Sequence, residues 1–542
     1  MQLSFLGAAQ MVTGSNYLIT TKNHNIIIDC GMFQGNKETE KMNFRELPYD
    51  PTSIDIMILT HAHIDHSGRI PKLVKDGFRG RILSTKATYD LCGIMLLDSA
   101  KIQESDAEWD NKKRQRAGQS LIEPLYTSED AEQSLKYFEP YLYNQRVDIN
   151  GEISIRFKDA GHILGSSILE IWITEEGKTT KLVFSGDLGM PNRPIIKDPE
   201  YIEDADYLIL ESTYGDTFHP PLKESAQQMI DIINKTAKRG GTVLIPSFAV
   251  GRTQELIYEL NEYYEYSKVE EYMKVPIYID SPMAVNATEV FQKNSGTFDQ
   301  ATQDLILSGD NPFAFSNLHY IRNQEESMAL NKSNYPKVII SASGMATAGR
   351  IRHHLKHNLW DPKNSLIFVG YQAEGTLGRI LLDGVKRVKL LGEEVNVALE
   401  IHDLEGFSGH ADQRVLLDWL NNFTKKPKKV FLVHGEIEAS TALANEIENK
   451  FNIKTIIPTL GSSYKIDTDN IEVEKAMTIE PELLREEISK ELDNVYAQFN
   501  SLVSRSNGLF EEKLLRRDFD NLKNRLLELQ NQLMDLNILI GK

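Results

Sequence analysis

His61, His63, Asp65 and His66 put four side chains able to bind a metal within six residues, in the run Leu59-Thr60-His61-Ala62-His63-Ile64-Asp65-His66-Ser67-Gly68. The 542-residue chain has only 13 histidines, so three in one short loop are a concentration rather than background. Neutral imidazoles combined with a carboxylate are borderline ligands that favour zinc. The spacing is too dense to set all four on one face of a helix. It suits a loop at a strand end, where alternate side chains turn toward two different ions, and the apolar run 54–59 supplies that strand. Two metal ions need about seven ligands, more than this loop holds. Three more residues stand at small-residue turns after apolar runs: His162 in Asp159-Ala160-Gly161-His162, Asp187 in Ser185-Gly186-Asp187, and His434 in Val433-His434-Gly435. Each alone reads as an ordinary turn residue. Their strength lies in sharing one context with the histidine loop.

The elements that must position these residues fall into three textures. Up to about residue 212, short apolar strands alternate with Gly-rich turns, at 3–6, 17–20, 25–29, 54–60, 153–157, 167–174, 181–185 and 207–210. A mostly helical stretch, 86–141, carries a basic run at Lys112, Lys113, Arg114 and Arg116 that reads as a surface helix. From about 213, strands at 242–246, 276–280, 337–341 and 365–370 alternate with helices at 251–263, 284–293 and from near 347. That is the pattern of a parallel sheet with crossover helices. A further strand at 430–434 and helix at 440–451 follow. Past residue 480, Leu484, Ile488, Leu492, Val495, Phe499 and Leu502 repeat at helical spacing. After a break at 504–508, Leu515, Phe519, Leu522, Leu526, Leu529, Leu533, Leu536 and Ile540 form a heptad seam. Two amphipathic helices are expected, either as a hairpin on their own chain or as the seam of a homodimer.

The length allows two or three domains, and 41% apolar with 25% charged residues is ordinary for a globular protein. No apolar run long enough to span a membrane and no secretory leader pattern is present, and Cys30 and Cys92 read as reduced core residues. A cytoplasmic location is therefore expected. The net charge of −18 argues against a generic nucleic-acid coat protein. It leaves room for an enzyme with a confined basic groove, since metal ions add positive charge that the formal count omits.

Taken together, these motifs resemble the metallo-β-lactamase superfamily: His61-Ala62-His63-Ile64-Asp65-His66, then His162, then Asp187, with Asp29 ending the first-motif strand Ile26-Ile27-Ile28-Asp29. Downstream, Glu211-Ser212-Thr213-Tyr214-Gly215, Phe407-Ser408-Gly409-His410-Ala411-Asp412 and Val433-His434-Gly435-Glu436 resemble motifs A, B and C of its β-CASP branch. Those RNA-processing nucleases include the pre-mRNA 3′-end cleavage endonuclease and ribonuclease J groups. The resemblance covers roughly residues 1–470. It implies an α/β fold: an αββα sandwich (1–212 and 396–474) interrupted by a β-CASP insert (213–395), with the helical extension 475–542 outside it. It further implies two zinc ions, one held by His61, His63 and His162, the other by Asp65, His66 and His434. Asp187 would bridge them and Asp29 would orient the ligands from behind. Such a pair would acidify a water that attacks phosphorus. His410 would protonate the leaving 3′-oxygen, with Glu211 fixing its tautomer.

Three strand-to-helix loops could grip phosphate through backbone N–H groups at a helix N-terminus. They are 341–350 (Ser341, Ser343, Gly344, Arg350), 247–252 (Arg252) and 370–379 (Arg379), the arginines being the expected phosphate contacts. His353, His354 and His357 read as a solvated helix face. The function implied is a zinc-dependent ribonuclease hydrolysing phosphodiester bonds. RNA is preferred over DNA because DNA-repair members of the branch typically carry valine at the motif C histidine. The wording around 61–71 is nearer the endonuclease group, and 5′-exonuclease action stays open. The alternatives are a non-catalytic scaffold subunit in RNA processing and a small-molecule (thio)ester hydrolase on the same sandwich.

Overall fold

Strand Ile153–Asp159 alternates buried and half-buried residues along its length, whereas Tyr207–Glu211 is buried at every position. The first pattern belongs to a strand with one covered face, the second to a parallel strand covered on both. In the computed structural model these strands belong to one of two sheets packed face to face. Residues 1–266, 274–373, 375–466 and 471–474 are described, with single positions at 500, 523, 525–527 and 529. Two compact units divide the chain, Met1–Ala476 and Met477–Lys542. The heptad seam expected after residue 480 lies, apart from a few positions, outside the described residues.

The first sheet has eight strands. In spatial order they are Ile471–Glu474, Ser462–Ile466, Gln2–Phe5, Tyr17–Thr20, Asn25–Ile28, Ile56–Ile58, Arg81–Thr85 and Phe138–Tyr141. The second has seven: Lys454–Ile456, Lys429–Val433, Tyr207–Glu211, Lys178–Phe184, Ser167–Glu175, Ile153–Asp159 and Val147–Asp148. Their inner faces share one core in which Phe5, Ile26, Ile28 and Ile58 meet Phe157, Leu169, Phe184 and Phe431. Each of these buried side chains contributes about 1.5–3 kcal/mol of hydrophobic stabilisation. Helices cover the outer faces. Lys86–Arg116 lies over the first sheet, and Gln413–Asn421 and Ile437–Phe451 lie over the second through Leu416, Trp419, Leu443 and Ile447. This is the αββα sandwich. No described helix is long and apolar enough to cross a membrane.

A third sheet of six parallel strands is made by the inserted segment. Its order is Leu318–Tyr320, Ile277–Ile279, Lys337–Ser341, Thr242–Pro246, Ser365–Phe368 and Glu400–Asp403. Its last strand follows residue 395, where the sandwich was expected to resume. Two local expectations are corrected. The helical reading of 86–141 ends at Arg116, resumes over Ser128–Ser134 and gives way to the strand Phe138–Tyr141, which pairs with Arg81–Thr85. The helix expected from near Thr347 begins at Ile351, because the Ser343 hydroxyl accepts the N–H groups of Thr347 and Ala348 and holds the preceding segment as a loop.

Candidate active site

Sheet register brings the candidate residues to one end of the sandwich. Tyr207–Glu211 and Lys429–Val433 run parallel with Glu211 opposite Val433, so Thr213 and His434 leave adjacent strands side by side. Lys178–Phe184 pairs with Tyr207–Glu211 and delivers Asp187 just beyond its end. The turns are stitched by backbone hydrogen bonds: Gly189 N–H donates to the Ala160 carbonyl at 2.8 Å, and Ala411 N–H to Leu188 at 2.7 Å. Gly189 is obligatory there, since a Cβ would stand 1.6 Å from the Gly161 carbonyl oxygen. The Asp187, His162 and His410 segments are thereby fixed against one another.

Asp187 is the centre. Its Oδ2 lies 3.4 Å from His61 Nε2 and 3.6 Å from His162 Nε2, and each of those nitrogens is 3.2 Å from His63 Nδ1. Its Oδ1 lies 3.3 Å from His66 Nε2 and 3.7 Å from His434 Nδ1, and His434 Nε2 is 3.4 Å from Asp65 Oδ2. The two oxygens of one carboxylate thus face two separate groups. A tetrahedral zinc with bonds of about 2.0–2.1 Å spaces its ligand atoms about 3.3–3.4 Å apart. The spacing in the first group, 3.2–3.6 Å, fits. Asp187 is 1% exposed, yet neither carboxylate oxygen has a hydrogen-bond partner among the described residues. A buried carboxylate without donors is costly unless cations face it. The donor set and its unmet acceptors therefore fit a pair of divalent ions.

The rings are oriented from behind. Asp29 Oδ2 accepts from His66 Nδ1 at 2.7 Å and from the Thr60 hydroxyl at 2.8 Å, while Oδ1 accepts from Thr60 N–H. With its proton committed to Asp29, the Thr60 oxygen is left to accept from His61 Nδ1 at 3.2 Å. His162 Nδ1 donates to the Gly409 carbonyl at 3.1 Å. At His61 and His162 this leaves the far nitrogen, Nε2, with a bare lone pair toward Asp187, whereas against burial Asp187 and Asp29 hold His66 well above the usual imidazole value. Burial pushes His61 and His162 well below the usual imidazole value and His63 down to about 4, which keeps all three neutral. Against burial, the surrounding imidazoles hold Asp187 well below the carboxylate range and Asp65 at about 2, so both stay ionised.

His410 sits at the edge of this cluster, with Nδ1 3.2 Å from Glu211 Oε2 and 3.9 Å from Asp187 Oδ2. Burial would lower its pKa, but Glu211 and Asp187 raise it to about 9. Glu211 also accepts the Leu188 N–H at 2.6 Å, beside Asp187. Cations next to Asp187 would offset its charge and bring His410 back toward neutrality.

Similarity to known proteins agrees with this arrangement. Residues 11–247 match the metallo-beta-lactamase superfamily, 253–381 the Beta-Casp domain, and 394–458 a Zn-dependent metallo-hydrolase RNA specificity domain. Ribonuclease TTHA0252 of Thermus thermophilus is 39% identical over 443 residues, spanning 82% of this chain and 95% of the relative. The transcription termination factor FttA is 31% identical over 469 residues in Methanocaldococcus jannaschii and 33% over 476 in Thermococcus kodakarensis, in each case 84% of this chain and 70% of the relative. The chain belongs to the β-CASP branch of the metallo-β-lactamase superfamily. It is a metal-dependent hydrolase of that branch.

Above the candidate metal-binding cluster lies a cleft of about 250 Å³ between the sandwich and the third sheet. Of the residues expected to hold phosphate, Arg252 and Ser343 line it. Arg252 lies against Glu255, which also pairs with Arg193 at 3.0 Å, so one carboxylate is shared by two guanidinium groups on the cleft wall. The other expected contacts are engaged elsewhere. Ser341 donates to the Asp280 carbonyl at 2.7 Å, and Arg350 pairs with the Asp280 carboxylate at 2.6 Å and donates to the Arg322 carbonyl. Arg379 is half-exposed and pairs with Asp383, and Gly344 packs on the Phe248 ring. His353 and His357 are exposed as expected for a solvated face, but His354 is fully buried and pairs with Asp280 at 2.6 Å. Arg193, Phe248, Tyr371 and Thr213 line the cleft without having been singled out from sequence. Thr213, inside motif A, carried a signal. Phe248 carried none beyond its small-residue loop.

Proposed function

We propose that the chain is a zinc-dependent ribonuclease that hydrolyses RNA phosphodiester bonds at a dinuclear centre. His61, His63 and His162 hold one zinc, and Asp65, His66 and His434 the other. Asp187 bridges the two and Asp29 fixes the His66 ring. The observation that carries this reading is the convergence of these side chains on the two donor-free oxygens of one buried carboxylate. When bound, a zinc pair supplies Lewis acidity, lowering the pKa of water and stabilising charge on the transferring phosphoryl group.

The chain's own residues do the rest. Arg252 and Ser343, facing the cleft, hold the phosphates flanking the scissile bond. His410 turns Nδ1–H to Glu211 and its Nε2–H to the leaving 3′-oxygen, where it gives up a proton. Glu211 stabilises the imidazolium before transfer and holds the tautomer after it. The cleft walls, contributed by 163, 248 and 371 among others, keep bulk water from the reacting atoms. Endonucleolytic action is the favoured mode.

The test is metal analysis alongside hydrolysis assays. The expected result is two zinc ions per chain, cleavage of linear and circular RNA, and no turnover of a thioester. A protein purified without zinc at these ligands and inert toward RNA would sink the proposal. Intact circles with degraded 5′-monophosphorylated strands would replace the endonuclease by an exonuclease.

A further inference from the structure

Thr213 joins two parts of the site that are 221 residues apart in sequence. Its Oγ1 stands 2.7 Å from Glu211 Oε2, 3.0 Å from His434 Nδ1 and 2.9 Å from the His434 carbonyl oxygen. A hydroxyl has one proton to donate and two lone pairs. Of its three neighbours, the carboxylate oxygen is the closest and the only charged acceptor, so the proton goes to Glu211. The neutral His434 carbonyl, 2.9 Å away, takes the weaker share of the same proton in a bifurcated bond, so a lone pair faces His434 Nδ1, which must carry the hydrogen that bridges 3.0 Å. Otherwise two lone pairs would oppose each other in a buried site. His434 is thereby set with Nδ1–H inward and a bare Nε2, the nitrogen 3.4 Å from Asp65 Oδ2.

The same Glu211 carboxylate receives His410 Nδ1 at 3.2 Å. One continuous chain results: His434 Nδ1–H to Thr213 Oγ1, Thr213 O–H to Glu211, and His410 Nδ1–H to Glu211 from the other side. The geometry follows from the fold. The parallel pairing of Glu211 with Val433 sets the two strand ends level, so the residues just beyond them meet. Thr213 is 8% exposed, and no water is needed to complete the link.

We propose that Thr213 is a positioning residue whose hydroxyl couples the imidazole of His434 to the Glu211–His410 pair, so that metal retention at His434 and proton donation by His410 depend on one shared hydrogen-bonded chain. This rests on the ribonuclease reading above. Oxygen-to-carbon replacement isolates the hydroxyl. Thr213→Val keeps the shape and removes both hydrogen bonds, while Thr213→Ser keeps the hydroxyl and removes a methyl group.

The full-length chain and both variants are compared by zinc content after dialysis against graded chelator, and by kcat and KM on a single-stranded RNA oligonucleotide with zinc in excess. Thr213→Val is expected to lose zinc at a chelator concentration roughly 10–100-fold lower and to lose roughly 10–100-fold in kcat, the range of outer-shell substitutions. KM should stay within about twofold, because phosphate contacts are untouched. Thr213→Ser is expected to restore both. Wild-type zinc retention and kcat in Thr213→Val would overturn the coupling, as would a fall in kcat with zinc retention unchanged. A serine variant as impaired as the valine variant would also overturn it, by assigning the effect to packing. Should Thr213→Val not fold, as its circular dichroism would reveal, Thr213→Ala against Thr213→Ser gives the same comparison. A wild type with no zinc and no RNA cleavage overturns the ribonuclease reading and this inference with it. An active wild type beside an unimpaired valine variant overturns this inference alone.

Discussion

Five imidazoles, those of His61, His66, His162, His410 and His434, approach the Asp187 carboxylate within 3.3–3.9 Å. Removing that carboxylate deprives both ligand groups of their common member. Asp187→Ala is therefore expected to reduce bound zinc below two per chain and to slow RNA cleavage on the order of 10³-fold or more, read by metal analysis and single-turnover kinetics. His410 behaves differently because it stands at the edge of the cluster, with Glu211 as its closest carboxylate partner. His410→Ala should retain zinc and RNA binding while kcat falls about 10²–10⁴-fold, the usual worth of a general acid. Unchanged turnover would remove His410 from the chemistry. At this scale the sequence was informative. The candidate ligands stand at turns after strand ends, a pattern visible without coordinates. What His162 Nδ1 or His434 Nδ1 donates to was not, since those partners lie 247 and 221 residues away.

Among the elements, the loop 342–350 changes its meaning most. Read from sequence, its arginine faces phosphate. In the fold, Arg350 and the fully buried His354 both close on Asp280, at the end of strand Ile277–Ile279, with Ser327 donating at 2.5 Å. The loop is thus braced against the third sheet, which holds Ser343 at the cleft. Asp280→Ala leaves a guanidinium and an imidazole facing each other without a counter-charge, a loss of about 3–5 kcal/mol expected in urea unfolding. Burial alone would raise the Asp280 carboxyl, but His354, Ser327 and Arg350 hold it below the ordinary value. The sign follows: its stabilising contribution is complete above the usual carboxylate range and fades as pH falls through the lowered value. The stability gap between wild type and Asp280→Asn should accordingly narrow below about pH 4. A gap constant from pH 7 to 3 would contradict this assignment.

For the molecule as a whole, the sandwich and the third sheet are two supports for one cleft. The sandwich brings seven candidate ligands to one end, and the insert closes that end with Phe248, Arg252 and Ser343. A cluster of buried imidazoles and carboxylates with unmet acceptors is strained without cations. A divalent cation that binds the native arrangement more tightly than the unfolded chain would stabilise it by mass action, by up to about 2.7 kcal/mol at a hundredfold excess over Kd. Chelation should lower the thermal midpoint by several degrees, and added zinc should restore it. An unchanged midpoint would deny the metals a structural role. Against the net charge of −18, the cleft wall carries two guanidinium groups on one carboxylate, a local excess of positive charge to which bound cations would add.

Residue types and local spacing by themselves pointed to metal binding, to the strand-end placement of the candidate ligands and to the alternating strand-helix texture of the insert. These are short-range properties: a turn needs glycine and a buried strand needs apolar side chains, whatever lies elsewhere. The tertiary structure alone decided which distant turns meet. It committed Arg350 and His354 to Asp280, and Ser341 to a backbone carbonyl, while bringing Arg193 and Phe248 to the cleft. It also let one threonine hydroxyl connect His434 to Glu211. The pairing register of strands hundreds of residues apart fixes those contacts, and register follows from the packing of whole sheets rather than from any local pattern.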